Sequence, residues 1–307
     1  MKAVAPPRLR PGDRIGVVAP SGPVLPRALA AGARVLEEAG FRVVFGRHVR
    51  ERRGHLAGPD ASRLDDLNRM LRDPDIRCVL MARGGYGAMR IAPEIDWGAM
   101  RRDPKLFAGF SDATFLHLGL ARHAGVRTLH GPNLHGLGMR RGSEVPRFLA
   151  WVTQPMPPER VRTLPAPRRL RGPAAAATGC VMGGNLALFH YAAAAGYLPS
   201  VRGCLLFLEE VNEPPYKIDG MLCALREGGW LKGVRGVVLG DFTRCLPRKG
   251  FRELTLSQVL RDHLGPLRAP TWSGLRAGHG RRNYPLPLGA RARLARGRLV
   301  FEEGAVS

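Results

Sequence analysis

The chain has 307 residues, 45% of them hydrophobic, which is enough for one large or two ordinary domains with cores of their own. Its net charge of +23, from 48 Lys+Arg against 25 Asp+Glu, raises the question of nucleic acid, but the basic residues are scattered and carry no RNA- or DNA-binding signature, so no specific nucleic-acid partner is expected. No stretch has the length and hydrophobicity of a membrane span, Met1 to Gly12 lacks the apolar core of a signal peptide, and the five cysteines form no CxxC pair, so a cytoplasmic protein with reduced thiols and no membrane partner is expected.

The first half alternates strand and helix. Arg14 to Pro20 is an apolar run ending in Pro20-Ser21-Gly22, a buried strand feeding a loop. Arg27 to Gly40 has helical periodicity and a Gly stop, and Phe41 to Phe45 is a second strand. Ser62 to Leu71 places Leu64, Leu67 and Leu71 on one helical face. Cys78 to Ala82 and Lys105 to Phe110 are further strands, and Ala113 to His123 is a helix. This rhythm predicts a mainly parallel sheet flanked by helices over residues 1–153. Residues 154–178 carry six prolines among basic residues and read as a connection. Residues 179–307 then read as a smaller, β-rich α+β domain. Its expected elements are a strand over Cys204 to Glu209, a helix over Ile218 to Glu227, a strand over Gly236 to Gly240, a helix over Thr255 to Leu264, and a hairpin turning near Gly297.

Four segments can carry chemistry. Arg83-Gly84-Gly85-Tyr86-Gly87 follows a strand, and its glycines let backbone approach a ligand and present N–H groups; a tight turn is the plainer reading. Ser111 lies where an apolar strand meets a helix, two residues after Gly109. A Ser there can project from a sharp elbow, with the Asp112 N–H facing an oxyanion at the helix start, although Gly-x-Ser-x-Gly itself is absent because Ala113 replaces the last Gly. From local sequence alone, Ser111 or Asp112 capping the helix is the favoured reading. Glu209 and Glu210 end an apolar strand, where a carboxylate is well placed to orient a histidine. His279 sits between Gly278 and Gly280, exposed to ligand, whereas His117 and His123 lie on a helix. No metal-ligand spacing appears, so no metal and no other cofactor is expected. Ser111, His279 and Glu209 supply a hydroxyl, a base and an acid to orient it, but spacing alone does not bring them together.

The chain resembles the serine LD-carboxypeptidase family, which includes muramoyl-tetrapeptide carboxypeptidases and microcin-C immunity peptidases. The marks run along nearly the whole chain: Pro11-Gly12-Asp13-Arg14-Ile15 with Ala19-Pro20-Ser21, Leu56-Ala57-Gly58 with Arg63, Ala82 to Gly87 with Arg90, Ile95-Asp96-Trp97, Gly109-Phe110-Ser111-Asp112, Gly131-Pro132, Gly183-Gly184-Asn185-Leu186, Leu208-Glu209-Glu210, Gly278-His279 and Leu286-Pro287-Leu288-Gly289. The resemblance implies a triad of Ser111, Glu209 and His279, oxyanion donors in the backbone N–H groups of Asp112 and Gly85, and a homodimer. It also implies a murein-derived peptide as substrate, cut at an L,D-amide bond to release terminal D-Ala. Arg83, Gly84, Tyr86 and Asn185 are carried along as substrate-binding candidates, with Arg83 or Arg90 facing a substrate carboxylate. The sequence departs from the family pattern at Glu210, Gly220 and Ala194-Ala195, which bears on substrate preference more than on the triad. An immunity-type peptidase cleaving a peptidyl- or aminoacyl-nucleotide is the nearest rival, and a non-catalytic basic binding protein is a third reading.

Overall fold

A computed structural model describes residues 3–139, 144–171 and 175–307; Pro173 of the Pro-rich segment and the side chain of Arg171 lie outside the described residues. The chain forms two compact units. The first comprises Met1–Pro157, Tyr284–Gly289 and Gly304–Ser307, and the second Pro158–Asn283 and Ala290–Glu303. In chain order the strands are β1 (Arg14–Val18), β2 (Arg42–Phe45), β3 (Ile76–Met81), β4 (Leu106–Gly109), β5 (Thr128–His130), β6 (Thr163–Pro165), β7 (Arg168–Arg171), β8 (Ala177–Asn185), β9 (Leu205–Val211), β10 (Gly236–Thr243), β11 (Thr271–Ser273), β12 (Leu286–Leu288), β13 (Arg291–Ala295) and β14 (Arg298–Phe301).

The first unit is built on a sheet of order β12-β5-β4-β3-β1-β2. All its pairings are parallel except β12 against β5. The apolar runs of β1, β3 and β4 are buried along almost their whole length, as strands covered on both faces must be. Helices Pro26–Glu38, Asp60–Arg72 and Ala113–His123 link the strands, each with apolar residues in the core. Parallel strands joined by helices place the loops after β1, β3 and β4 at one end of the sheet, where α/β folds hold ligands.

The second unit has a sheet of order β6-β14-β13-β8-β9-β10-β11-β7. Strands β8 to β11 are parallel, and the outer strands on both sides are antiparallel. Helices Leu186–Ala194, Pro215–Glu227 and Leu256–Leu264 connect the parallel strands. The expected hairpin is β13–β14, with Arg296 and Gly297 at φ 47° and 71° in its turn.

The Pro-rich segment differs from its reading as a connection. It contains the short helix Glu159–Arg162 and strands β6 and β7, which form the two edges of the second sheet. Edge strands tolerate proline, since one side needs no ladder N–H, and their basic residues oppose further strand addition. The segment Leu286–Leu288, expected within the C-terminal domain, returns to the first unit as β12, where Leu286 pairs with His130.

Candidate active site

In the first unit, three strand-end loops are tied together around Ser111. Ser111 joins β4 to the helix Ala113–His123 with φ of 66°, a left-handed backbone that a non-glycine residue adopts at a cost. This is the geometry of an elbow that lifts a side chain off the end of a strand. Helix capping does not account for it: Asp112 occupies the cap position, but its side chain makes no cap hydrogen bond. Instead Asp112 Oδ2 accepts the Ser21 hydroxyl at 2.5 Å, from the loop after β1, and the Ala88 N–H at 2.8 Å, from the loop after β3. Burial pushes the Asp112 carboxyl above the ordinary aspartate value, against the opposing pull of these hydrogen bonds and of Arg63.

Arg63, itself buried, donates to the carbonyls of Pro20 and Gly87 and pairs with Asp60, so a second stitch holds the same loops. The Gly-rich loop needs its glycines here. A Cβ on Gly84 would lie 2.7 Å from Ser111 Cβ, and one on Gly85, at φ 119°, would lie 2.9 Å from Gly22 Cα. Beneath the elbow, the Gly109 carbonyl accepts Gly131 N–H at 3.0 Å and His117 Nε2–H at 3.0 Å. Burial lowers His117 to about 4, so it stays a neutral donor.

The second unit brings together Glu209 and His279. Glu209, fully buried on β9, accepts His279 Nδ1–H at 2.7 Å and the His279 backbone N–H at 3.2 Å, both on Oε2. The carboxylate therefore fixes the tautomer that leaves the lone pair on Nε2. Glu209 Oε1 is buried and has no hydrogen-bond partner among the described residues. Gly278, at φ 113°, permits the approach, since a Cβ there would lie 2.5 Å from Glu209 Oε2. The buried Asn283 accepts the Gly278 N–H at 3.0 Å and closes the loop that carries His279.

Glu210 serves a different end. Its oxygens accept Asn185 Nδ2–H at 2.8 Å, Ala187 N–H at 2.8 Å and Val211 N–H at 2.7 Å, anchoring the start of the helix Leu186–Ala194. Burial raises its carboxyl above the ordinary glutamate value. The Asn185 side chain is held in the same contact and also caps that helix at Leu188 N–H, 3.2 Å away.

The remaining candidates lie mostly at the ends of the first sheet. Arg83 is exposed and donates to the Pro23 carbonyl at 3.0 Å; Tyr86 is exposed, with its ring 5.7 Å from that of His55. Arg90 is bound to Asp60 through Nε and Nη2, the shortest contact being 2.7 Å. Gly220 borders a cavity of about 310 Å³ lined also by His190, Tyr191 and Glu213, and a Cβ there would meet open space. Among the described residues, His48, Asp65 and Asp66 hold donor atoms within 4.8 Å of one another. These groups already bind protein partners: His48 Nδ1 meets Glu51 at 2.6 Å, and Asp66 accepts His48 N–H and an Arg69 N–H. Sequence pattern gives no role to Ser21, Arg63 or Asn283: Ser21 and Arg63 act through partners distant in the chain, and Asn283 through the Gly278 N–H five residues before it.

The chain matches the LD-carboxypeptidase N-terminal domain over residues 15–131 and the LD-carboxypeptidase C-terminal domain over residues 178–294. It is 36% identical to a Bacillus subtilis protein described as "Probable murein peptide carboxypeptidase", over 94% of this chain and 90% of that one. It is 33% identical to a murein tetrapeptide carboxypeptidase of Pseudomonas aeruginosa, over 93% and 94%. An MccF-like protein from Bacillus anthracis, 24% identical, shares the fold with a TM-score of 0.84 over 98% of this chain and 100% of that one.

Proposed function

The chain belongs to the LD-carboxypeptidase family, and from that premise we propose that it hydrolyses the L,D-amide bond of murein tetrapeptides, with Ser111 as nucleophile, His279 as general base and Glu209 as the acid that orients it. The observation that carries this reading is the Glu209–His279 pair, in which the buried carboxylate holds Nδ1 and the loop backbone together. The left-handed backbone of Ser111 at a strand-to-helix elbow supports the nucleophile. The printed names of the Bacillus subtilis and Pseudomonas aeruginosa relatives support the murein peptide.

In this mechanism His279 Nε2 takes the Ser111 proton as Oγ attacks the carbonyl carbon before D-Ala. The backbone N–H groups of Asp112 and Gly85 receive the developing oxyanion. The Asp112 carboxylate, bound to Ser21 and Ala88, holds the elbow and the Gly-rich loop in one arrangement while charge develops. Glu209 stabilises the imidazolium, which then protonates the leaving amine, and water releases the acyl-enzyme by the same route in reverse. Glu209 carries this role because adjacent strand residues face opposite sides, and Glu210 is held by the helix start. Arg83, Gly84 and Tyr86 are assigned to the substrate-binding surface of the first unit.

A cytoplasmic location and a homodimer belong to the same proposal. All five cysteines are unpaired, which suits a reducing compartment, and among the described residues no helix is long and apolar enough to cross a membrane. The test is release of D-Ala from the tetrapeptide L-Ala-D-Glu-diaminopimelate-D-Ala, run beside an acyl-sulfamoyl adenylate. D-Ala release with little turnover of the adenylate is the expected result. Turnover of the adenylate alone would move the chain to the immunity-type reading.

A further inference from the structure

The connection between β10 and the helix Leu256–Leu264 is fixed at both ends and bare in between. At one end Cys245 is buried, with its Sγ 3.7 Å from the Thr243 carbonyl oxygen. At the other, Thr255 N–H donates to Gln258 Oε1 at 2.8 Å and Gln258 N–H to Thr255 Oγ1 at 3.3 Å, a reciprocal cap. Between them every residue from Leu246 to Arg252 is exposed, and so is Leu254. Leu246, Phe251 and Leu254 are 71%, 61% and 49% exposed, and Leu246 is the most exposed large apolar side chain among the described residues. Single exposed apolar residues are ordinary on a surface, but three on one short loop mark a contact surface.

The loop is also preformed. The Arg248 guanidinium lies 4.1 Å from the centroid of the Tyr216 ring and 4.3 Å from that of Phe251, and its Nε–H donates to Glu253 at 2.5 Å. The turn that brings Phe251 N–H to the Arg248 carbonyl, 3.2 Å away, runs through Gly250 at φ 84°. Glu253, the one acid between Arg244 and Leu254, is thus taken up by Arg248. Arg244, Lys249 and Arg252 are exposed, and their side chains join no ion pair or hydrogen bond among the described residues.

We propose that the loop from Arg244 to Leu254 anchors the protein on the anionic surface of a phospholipid bilayer. Leu246, Phe251 and Leu254 enter the interface, and Arg244, Lys249 and Arg252 meet the headgroup phosphates. Apolar side chains interleaved with basic ones suit that boundary, where an apolar layer and a layer of negative charge adjoin. The net charge of +23 adds long-range attraction to the same surface. Such an anchor needs no spanning helix, and the expectation of no membrane partner rests on spans and signal segments alone. Nucleic acid fits the loop less well: Arg248 already covers the Tyr216 and Phe251 rings on one side, and a phosphate backbone offers no apolar layer to Leu246 and Leu254. A second copy docking through the same loop would set cation against cation.

The experiment measures sedimentation of the full chain with vesicles of phosphatidylcholine alone and of phosphatidylcholine mixed equally with phosphatidylglycerol, at low and high salt. Binding to the mixed vesicles only is the expected result. The triple variant Arg244→Gln/Lys249→Gln/Arg252→Gln is expected to bind about 10²-fold more weakly, roughly fivefold for each cation. A control triple of the same net charge, Arg8→Gln/Arg34→Gln/Arg202→Gln, is expected to lose only a few-fold. Leu246→Ser with Leu254→Ser is expected to lose about tenfold and the binding that survives high salt. Phe251→Trp is expected to shift its fluorescence to shorter wavelength on the mixed vesicles. Equal losses in the two triple variants, or wild-type binding by the serine variant, would reduce the effect to general charge attraction and overturn the anchor. Absence of vesicle binding overturns it too; the loop then serves nucleic acid if the wild type retains duplex DNA and the loop triple does not, or a second copy if the serine variant abolishes a concentration-dependent rise in mass.

Discussion

Ser111-Asp112 in the first unit and Glu209-Glu210 in the second repeat one device with different chemistry. In each, a candidate catalytic residue is followed by a buried carboxylate that binds backbone N–H groups: Asp112 takes Ala88 N–H together with the Ser21 hydroxyl, and Glu210 takes those of Ala187 and Val211 with the Asn185 amide. The difference lies in what the catalytic candidate itself does. Glu209 is fully buried, gives one oxygen to His279 and keeps the other without a hydrogen-bond partner among the described residues, so it is unsatisfied in a way Glu210 is not. Ser111 is only partly buried and is set by backbone strain and by the bare Cα of Gly84. The scaffold acid is satisfied in both places, and the cost falls on its neighbour.

The sharpest way to break this comparison is to exchange the roles of the two glutamates. Glu209→Gln is expected to lower kcat by about 10³- to 10⁴-fold with KM nearly unchanged, by analogy with loss of the orienting carboxylate in a Ser-His-Asp triad. Glu210→Gln is expected to act mainly on stability, read by urea denaturation. Equal kinetic losses in the two variants would remove the distinction. Gly278→Ala comes next. Its Cβ would meet Glu209 Oε2 at 2.5 Å on a backbone at φ 113°, so about 10²-fold in kcat and roughly 1–3 kcal/mol of stability are expected to go together.

Asp112→Ala leaves the Ser21 hydroxyl and the Ala88 N–H without their acceptor and is expected to cost about 1–3 kcal/mol, measured by denaturant midpoint, with Asp112→Asn losing less. The sign of its pH dependence follows from burial, which raises this carboxyl in the folded state. Its contribution is fully present below the unfolded aspartate value and declines as pH rises through the folded one, so Asp112→Asn is expected to flatten that decline. The smallest effect is expected outside both pairs. The hydrogen bond from Arg90, with Arg63, holds Asp60 below the ordinary aspartate value, a contribution present above that value and lost as pH falls through the folded one. Because both partners of the Asp60–Arg90 pair are largely exposed to solvent, Arg90→Gln is expected to leave the overall stability close to that of the wild type, seen only as a weaker acid dependence of the midpoint.

Much of this arrangement is legible in the residues. The apolar run into Gly109 and the helix from Ala113 are both found, as is the strand carrying Glu209. What local pattern conceals is long-range contact. Nothing near Ser111 announces that Gly84 must be bare beside it, or that Asp112 reaches Ser21 instead of capping its own helix. Strand β8 escapes pattern reading because its glycines lower strand propensity, yet its packing on β9 requires them: a Cβ on Gly183 would lie 1.9 Å from the Phe207 carbonyl oxygen. Strands β6 and β7 are concealed by proline and arginine, which edge positions allow.

The most direct measurement is the rate of D-Ala release from the tetrapeptide by Ser111→Ala, with folding checked by the denaturant midpoint. Loss of about 10³-fold or more in kcat, with the midpoint held near the wild-type value, is the expected result. Release within a few-fold of the wild type would contradict the assignment of Ser111 as the nucleophile.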